Sequence, residues 1–270
     1  MRTRHFGPSR YAPTTQWQAN LLRVATYNIH KGVRSLGLGL GKRLEIHNLG
    51  LGIEALDADL VCLQEVRLFH RRDALRFEQT LLGWPDGGQA DYLAPEGYTV
   101  AYRTNAVTKH GEHGNALLSR WPIGDVGHHD VSDHRFEQRG LLHVPVLWQN
   151  REVHVVVVHF GLTHSGRLRQ AERLAEYIDA AVPPNLPLLV AGDFNDWGER
   201  LDGPMQAMGL ARARAGGPLR QRTFPSRVPV FALDRVYTRG LYCQSAVVPR
   251  GATWVRMSDH LPLLVELAID

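Results

Sequence analysis

Nine short apolar runs punctuate the chain, at 21–29, 59–66, 98–104, 114–120, 139–148, 151–160, 186–194, 232–240 and 261–269. They are rich in Val, Leu and aromatic residues, which suit a pleated, half-buried surface, so each predicts a strand. Only Gln149 and Asn150 separate the fifth run from the sixth, which predicts a β-hairpin. Between other runs the period changes. Leu44, Leu51 and Leu56 recur among polar positions over 43–56, and Leu168, Ala171, Leu174, Ala175 and Ile178 recur over 165–182. Both spacings predict helices, and a third helix is expected near 199–208. Many strands with a few outer helices predict a layered α/β sandwich. No fixed-period repeat or linker divides the chain. One domain over 21–270 is therefore expected, behind a basic N-terminal tail over residues 1–20.

Composition narrows the classes. Lys and Arg exceed Asp and Glu by 31 to 27 and the formal net charge is +4, which suits phosphates or polyanions as well as ordinary solvated surface. The two cysteines, Cys62 and Cys243, form no CxxC pair, so a zinc site is not expected. Cys62 lies within an apolar run and reads as a core residue, and the cysteine usage suits a reducing cytoplasm. No apolar h-region follows the first basic residues, so no signal peptide is expected. No run reaches the roughly 18 apolar residues of a membrane span. "LGLGLG" at 36–41 lacks the Lys-Ser/Thr ending of a P-loop and reads as a loop. The densest basic run, "ARARAGGPLRQR" at 211–222, falls in an expected loop and reads as loop charge before a track for a nucleic-acid backbone. Peripheral membrane contact would draw on Trp17, Trp121, Trp148 or Trp254, although no amphipathic helix groups them. Nothing calls for a stable protein partner.

Polar residues recur where apolar runs stop: Asn28, Glu65, His159, Asp193 with Asn195, Asp234, and Ser258, Asp259 and His260. Any one of them reads as a cap, a turn residue or a satisfied structural side chain. Five strand ends sharing this chemistry are hard to explain as caps. A common purpose is a hard-cation site facing a phosphate. Mg²⁺ takes oxygen ligands, which Glu65 and Asp259 supply, with Asn28 as a neutral neighbour. Asp193 would accept a proton from water, and Asn195 would hold the phosphoryl oxygen or the nucleophile. His260 would contact the phosphate, its ring held and kept protonated by Asp234. Asp196 reads as a cap or loop acid.

The blocks "TYNIHKG", "DLVCLQEV", "GNALLSRWPI", "VVHFGL", "AGDFNDW", "LDRVY" and "SDHLPL" resemble, in order, those of the endonuclease/exonuclease/phosphatase superfamily, which includes deoxyribonuclease I. They span residues 24 to 267. The resemblance implies a four-layer α/β/β/α sandwich of two packed, mostly antiparallel sheets with outer helices, the active site at one end. It implies Glu65 as principal metal ligand, assisted by Asn28 and Asp259, with Mg²⁺ as cofactor and Mn²⁺ as a substitute. Asp193 and Asn195 would position or activate the nucleophile, Asp234 would pair with His260, and His159 would lie on the phosphate. Abasic-site endonucleases carry an Asp where this chain has His30, which argues against that branch. "YNIHKG", "HGNALLSRWPI" and "HFGL" resemble instead a bacterial subgroup of small hydrolases nearer the neutral sphingomyelinases.

Asn115 in "HGNALLSR" reads equally as a substrate-facing amide and as a turn residue beside Gly114. His30, Lys31, Arg34, His110, His113 and Arg139 would make the rim positive, though each singly reads as solvated surface. The expected activity is a Mg²⁺-dependent phosphodiesterase acting on a phospholipid, a nucleic acid or a small diester. The alternatives are a phosphomonoesterase and an inactive phosphate-ligand binding protein.

Overall fold

Alternation along the strands decides how the layers form. The computed structural model describes residues 20–35, 41–134, 137–215 and 221–269. The expected N-terminal tail up to residue 19, most of "LGLGLG" and positions 216–220 of the basic run lie outside them. Fourteen strands are present among the described residues: β1 (Leu21–Asn28), β2 (Val33–Ser35), β3 (Lys42–Leu44), β4 (Leu60–His70), β5 (Thr99–Thr108), β6 (Gly111–Ser119), β7 (Gly127–Asp130), β8 (Gly140–Trp148), β9 (Arg151–His159), β10 (Leu188–Asp193), β11 (Ala211–Arg212), β12 (Asp234–Arg239), β13 (Leu241–Val247) and β14 (Leu263–Ile269). The helices are α1 (Ile46–Leu56), α2 (Arg71–Phe77), α3 (Gln89–Leu93), α4 (His164–Ala181), α5 (Asp202–Ala207) and α6 (Ala252–Met257).

One sheet runs β13-β14-β1-β4-β6-β5 and the other β11-β12-β10-β9-β8-β7. Each contains one parallel pair, β1 with β4 and β9 with β10. The other neighbours are antiparallel. The two-residue period sorts the side chains into three cores. Leu22, Val24 and Cys62 meet Val155, Val157, Ala191 and Val236 between the sheets. Tyr27, Val61 and Leu63, one step out of phase, pack on α1, α3 and α6 through Leu49, Ile53, Leu93 and Met257. Val156, Val158, Val190 and Tyr237 pack on α4 and α5 through Leu174, Ile178 and Met205. Burying each such aliphatic side chain contributes about 1.5–3 kcal/mol. The result is the four-layer α/β/β/α sandwich.

All nine expected strands are present. The β8–β9 hairpin turns at Gln149 (φ 47°) and Asn150 (φ 63°), both left-handed as a two-residue type I′ turn requires. The first helix begins at Ile46, not at residue 43, because Lys42–Leu44 pair with Val33–Ser35 as a small hairpin. The last expected helix covers only Asp202–Ala207. The expected loop at 211–222 opens with β11, paired to β12. Three of the candidate membrane-facing tryptophans have internal work instead. Trp148 is buried between the sheets, Trp121 packs against that core and donates to Asp59, and Trp254 lies edge-on to Tyr27. Trp17 lies outside the described residues. Among the described residues no helix is long and apolar enough to cross a membrane.

Candidate active site

The alternation that buries the central core also loads one end of it with polar groups. β1 and β4 run in parallel to Asn28 and Glu65, while β9 and β10 run in parallel to His159 and Asp193. β12 starts at Asp234, directly opposite Asp193, and His159 lies on the other side of Asp193. Asn28 is two steps beyond Val24, His159 one beyond Val157, Asp193 one beyond Ala191 and Asp234 one before Val236. All four therefore face the gap between the sheets. Glu65 reaches it differently. Its φ is 57°, and the pairing of β4 with β6 slips between Leu63 and Val66. The bulge re-aims one side chain without moving the strand.

Asn28 ties the two sheets together. Its Nδ2 donates to Asp193 Oδ2 at 3.0 Å and to Glu65 Oε1 at 3.4 Å, while its Oδ1 accepts from His30 N at 3.0 Å. Ser258 Oγ donates to Asn28 O at 2.7 Å and accepts from His260 N at 3.3 Å, which latches the loop carrying Asp259 and His260 onto β1. Asn195 N donates to Asp193 Oδ1 at 2.9 Å and its Nδ2 to Phe160 O at 2.9 Å. Asp196, read from the sequence as a cap or loop acid, accepts from Leu201 N at 2.8 Å and caps no helix. It also accepts from the fully buried Arg235 Nη1 at 2.9 Å, a partner the sequence reading missed. Asn115 is a strand residue, not a turn residue. It is buried on β6 and its Nδ2 bridges to Gly140 O and Val157 O of the opposite sheet at 3.0 and 3.1 Å.

Burial and neighbouring charges push the two histidines that flank Asp193 in opposite directions. His159 Nε2 and His260 Nε2 each lie 3.7 Å from Asp193 Oδ2. Burial, reinforced by Arg139, pushes His159 down to about 4, so its ring is neutral. Burial acts the same way on His260 but is outweighed by Asp234, whose Oδ2 meets Nδ1 at 2.8 Å, and by Asp193. The His260 ring is pushed up to about 10. Environments that drive two titratable groups apart in this way assign them different roles.

Glu65 and Asp259 form the acidic side. Burial opposes charge on Glu65, yet Lys31 Nζ at 2.7 Å, by its charge and its hydrogen bond, holds the carboxyl well below the usual range. Asp259 is likewise lowered against burial, chiefly by His30 Nδ1 at 3.1 Å and by His260. His30 and Lys31 are thus not solvated rim charges. Both are left-handed, with φ of 45° and 62°, and Gln89 Nε2 holds Lys31 O at 2.9 Å. Gly32 follows because a Cβ there would stand 2.6 Å from Gln89 Nε2. His113 is pushed down to about 4 by burial and Lys31, and Arg139 donates to Phe160 O at 3.3 Å. In the basic run, Arg212 pairs with Glu199 at 3.1 Å and Arg214 with Asp202 at 2.6 Å, so these two are committed to ion pairs.

Two groups bear on a metal. Glu65 and Asp259 offer carboxylates and Asn28 an amide, donor types that suit a hard cation, with Asn28 Nδ2 turned to Glu65 and its Oδ1 accepting from His30 N. Asp193, Asp234 and His260 also have ligand atoms within 4.8 Å of one another. Asp234 holds His260 Nδ1, which leaves Nε2 as the nitrogen that faces Asp193. The oxygen donors of the first set suit Mg²⁺, whereas the second includes an imidazole nitrogen. Beside His260, the ring of Phe224 lies 4.8 Å away, and Trp197 packs edge-on against Phe224 and Phe231. This aromatic wall was missed because Phe224 and Phe231 lie outside the quoted blocks, although Trp197 closes "AGDFNDW".

Known proteins resemble this chain in sequence or in fold. YbhP of Escherichia coli K12, an uncharacterized protein, is 36% identical over 260 residues, covering 93% of this chain and 98% of its own. A mannosyl-6-phosphatase of Bacteroides thetaiotaomicron superposes with a TM-score of 0.66 at 18% identity, over 92% of this chain and 100% of that one. TDP2 of D. rerio, complexed with a single-strand DNA product, superposes with a TM-score of 0.58 at 14% identity, over 92% and 98% of the two chains. The model of the Endonuclease/Exonuclease/phosphatase family matches residues 25–260, and the chain belongs to that family.

Proposed function

We propose that the protein is a Mg²⁺-dependent phosphoesterase, and within that class a phosphodiesterase that uses water as nucleophile. The observation that carries this reading is the geometry around one oxygen of Asp193, which has His159 Nε2 and His260 Nε2 each at 3.7 Å and is tied through Asn28 to Glu65. His260, held cationic by Asp234, neutralises charge on the phosphoryl oxygens. His159, neutral, donates one N–H to the same group. Asp193 takes the proton of the attacking water, its second oxygen fixed by Asn195 N. Asn195 Oδ1 and its remaining amide hydrogen hold water and phosphate in line. Mg²⁺ or Mn²⁺, held by Glu65, Asp259 and Asn28, would polarise a phosphoryl oxygen as a Lewis acid.

His260, together with the cation that Glu65 and Asp259 would hold, neutralises the phosphoryl oxygens of a phospholipid, a nucleic acid or a small diester. The mannosyl-6-phosphatase neighbour keeps the monoester reading as second choice. The test is hydrolysis of bis-p-nitrophenyl phosphate against p-nitrophenyl phosphate with Mg²⁺, Mn²⁺ or EDTA, with His260→Ala as control. Diester turnover lost in EDTA and in the variant is the expected result. Preference for the monoester would make the protein a phosphatase, and metal-independent turnover would refute the mechanism.

A further inference from the structure

The end of the sandwich that carries the site is unusually apolar on its outside. β4 continues past Glu65 to His70, where it pairs with the start of β6, so α2, the following turn and the β5–β6 turn all lie beyond the site. The loops after β9 and β10 and the loop before β12 lie at the same end. Most of the exposed large hydrophobic side chains among the described residues belong to these segments. Leu81 is 100% exposed, with Leu82 at 67% beside it, and Val107 at 69% tops the β5–β6 turn. Across the site stand Val228 at 67% and the rim of Trp197. Scattered apolar residues need no explanation, but aliphatic side chains gathered on the loops of one end do.

Charge accompanies them. Arg71, Arg72 and Arg76 are exposed on α2, Lys109 is exposed beside Val107, and Arg227 is exposed beside Val228; against them the same segments expose the acids Glu78 and Asp86. We infer that this end of the molecule docks on an anionic phospholipid surface. The leucines and valines enter the interface while the arginines meet the headgroups. The substrate would then be a phospholipid drawn from that surface, a conclusion that rests on the phosphoesterase reading, whereas the docking itself does not. Nucleic acid fits the same positive charge less well. Single strands call for stacking aromatics, and the most exposed members here are aliphatic.

Cosedimentation with vesicles tests this. Phosphatidylcholine vesicles with and without phosphatidylglycerol are compared, using the full chain and the variant Leu81→Asp/Leu82→Asp, whose melting curve reports its fold. The protein is expected to sediment with the anionic vesicles and to release as salt rises. Each leucine should contribute on the order of tenfold in partition and each arginine about fivefold. The leucine variant should lose vesicle binding and keep wild-type turnover of the soluble diester. Changing Arg71, Arg72 and Arg76 to Gln should reduce the preference for anionic vesicles by about a hundredfold. Absence of binding to either vesicle, or binding unaltered in the leucine variant, overturns the inference. Retention on a single-stranded oligonucleotide that vesicles do not displace would assign the face to nucleic acid instead. Vesicle binding without diester turnover would leave docking intact and remove the phosphoesterase reading, so the two failures are separable.

Discussion

Replacing Asp234 by Asn keeps the shape of the group that meets His260 Nδ1 at 2.8 Å and removes its charge. Asp234 is fully buried and His260 nearly so. The folded ring is pushed up to about 10, against about 6.5 in an unfolded chain. Between those values the folded protein holds one proton more than the unfolded one. Stability from this group is therefore complete below about pH 6.5 and falls by about 1.4 kcal/mol per pH unit until it is lost above about pH 10. In Asp234→Asn the largest charge opposing burial is gone, Asp193 remains 3.7 Å from Nε2, and the ring gives up its proton at lower pH. The one-proton slope then shrinks. The variant should be destabilised by about 3 kcal/mol near pH 6.5, as for a buried pair deprived of one partner, and should approach the wild type as pH rises. Loss of a positive charge aimed at the phosphate should lower kcat by about 10²–10³. Urea unfolding from pH 6.5 to 9.5, with diester kinetics on both proteins, measures all three quantities. The same pH slope in both proteins, or an unchanged kcat, would refute the reasoning.

Glu65→Gln should weaken Mn²⁺ binding on the order of a hundredfold by calorimetry, since it removes one of the carboxylate donors. Arg235→Met breaks a fully buried ion pair with Asp196 and should cost about 3–5 kcal/mol in chemical unfolding; adding Asp196→Leu should recover part of it. Gly192→Ala places a Cβ 1.9 Å from Val158 O, within the strand pair that carries His159 and Asp193. It should destabilise by about 3 kcal/mol or more, read as a lower melting temperature.

The buried strands were legible because both faces of each sheet are covered, which leaves long apolar runs bounded by polar residues. The helices α2, α3 and α6 were not, since 7, 5 and 6 residues are too few to display a helical period. β13 is an edge strand with a mixed surface, "LYCQSAV", and its sequence resembles a loop. In the candidate site, the strand-end residues Asn28, His159, Asp193 and Asp234 come together because a two-residue period carries the core pattern straight into them. Glu65 joins by a bulge that no periodicity forecasts. Lys31 and His30 looked like surface charge because their partners, Glu65 and Asp259, are 34 and 229 positions away. Arg235 had a usable signal: a cation inside a buried strand, out of phase with Asp234, needs an acid in the adjoining layer. The Asp of "FND" supplies it.

The central claim is that Glu65, Asp259 and Asn28 form the acidic, metal-holding side of one phosphoester site whose proton chemistry belongs to Asp193, Asp234 and His260. Anomalous diffraction from a crystal soaked in Mn²⁺ tests it most directly. The account predicts density against the Glu65 and Asp259 carboxylates beside Asn28, with the His260–Asp234 bond intact. Density centred among Asp193, Asp234 and His260, or none near Glu65, would contradict it.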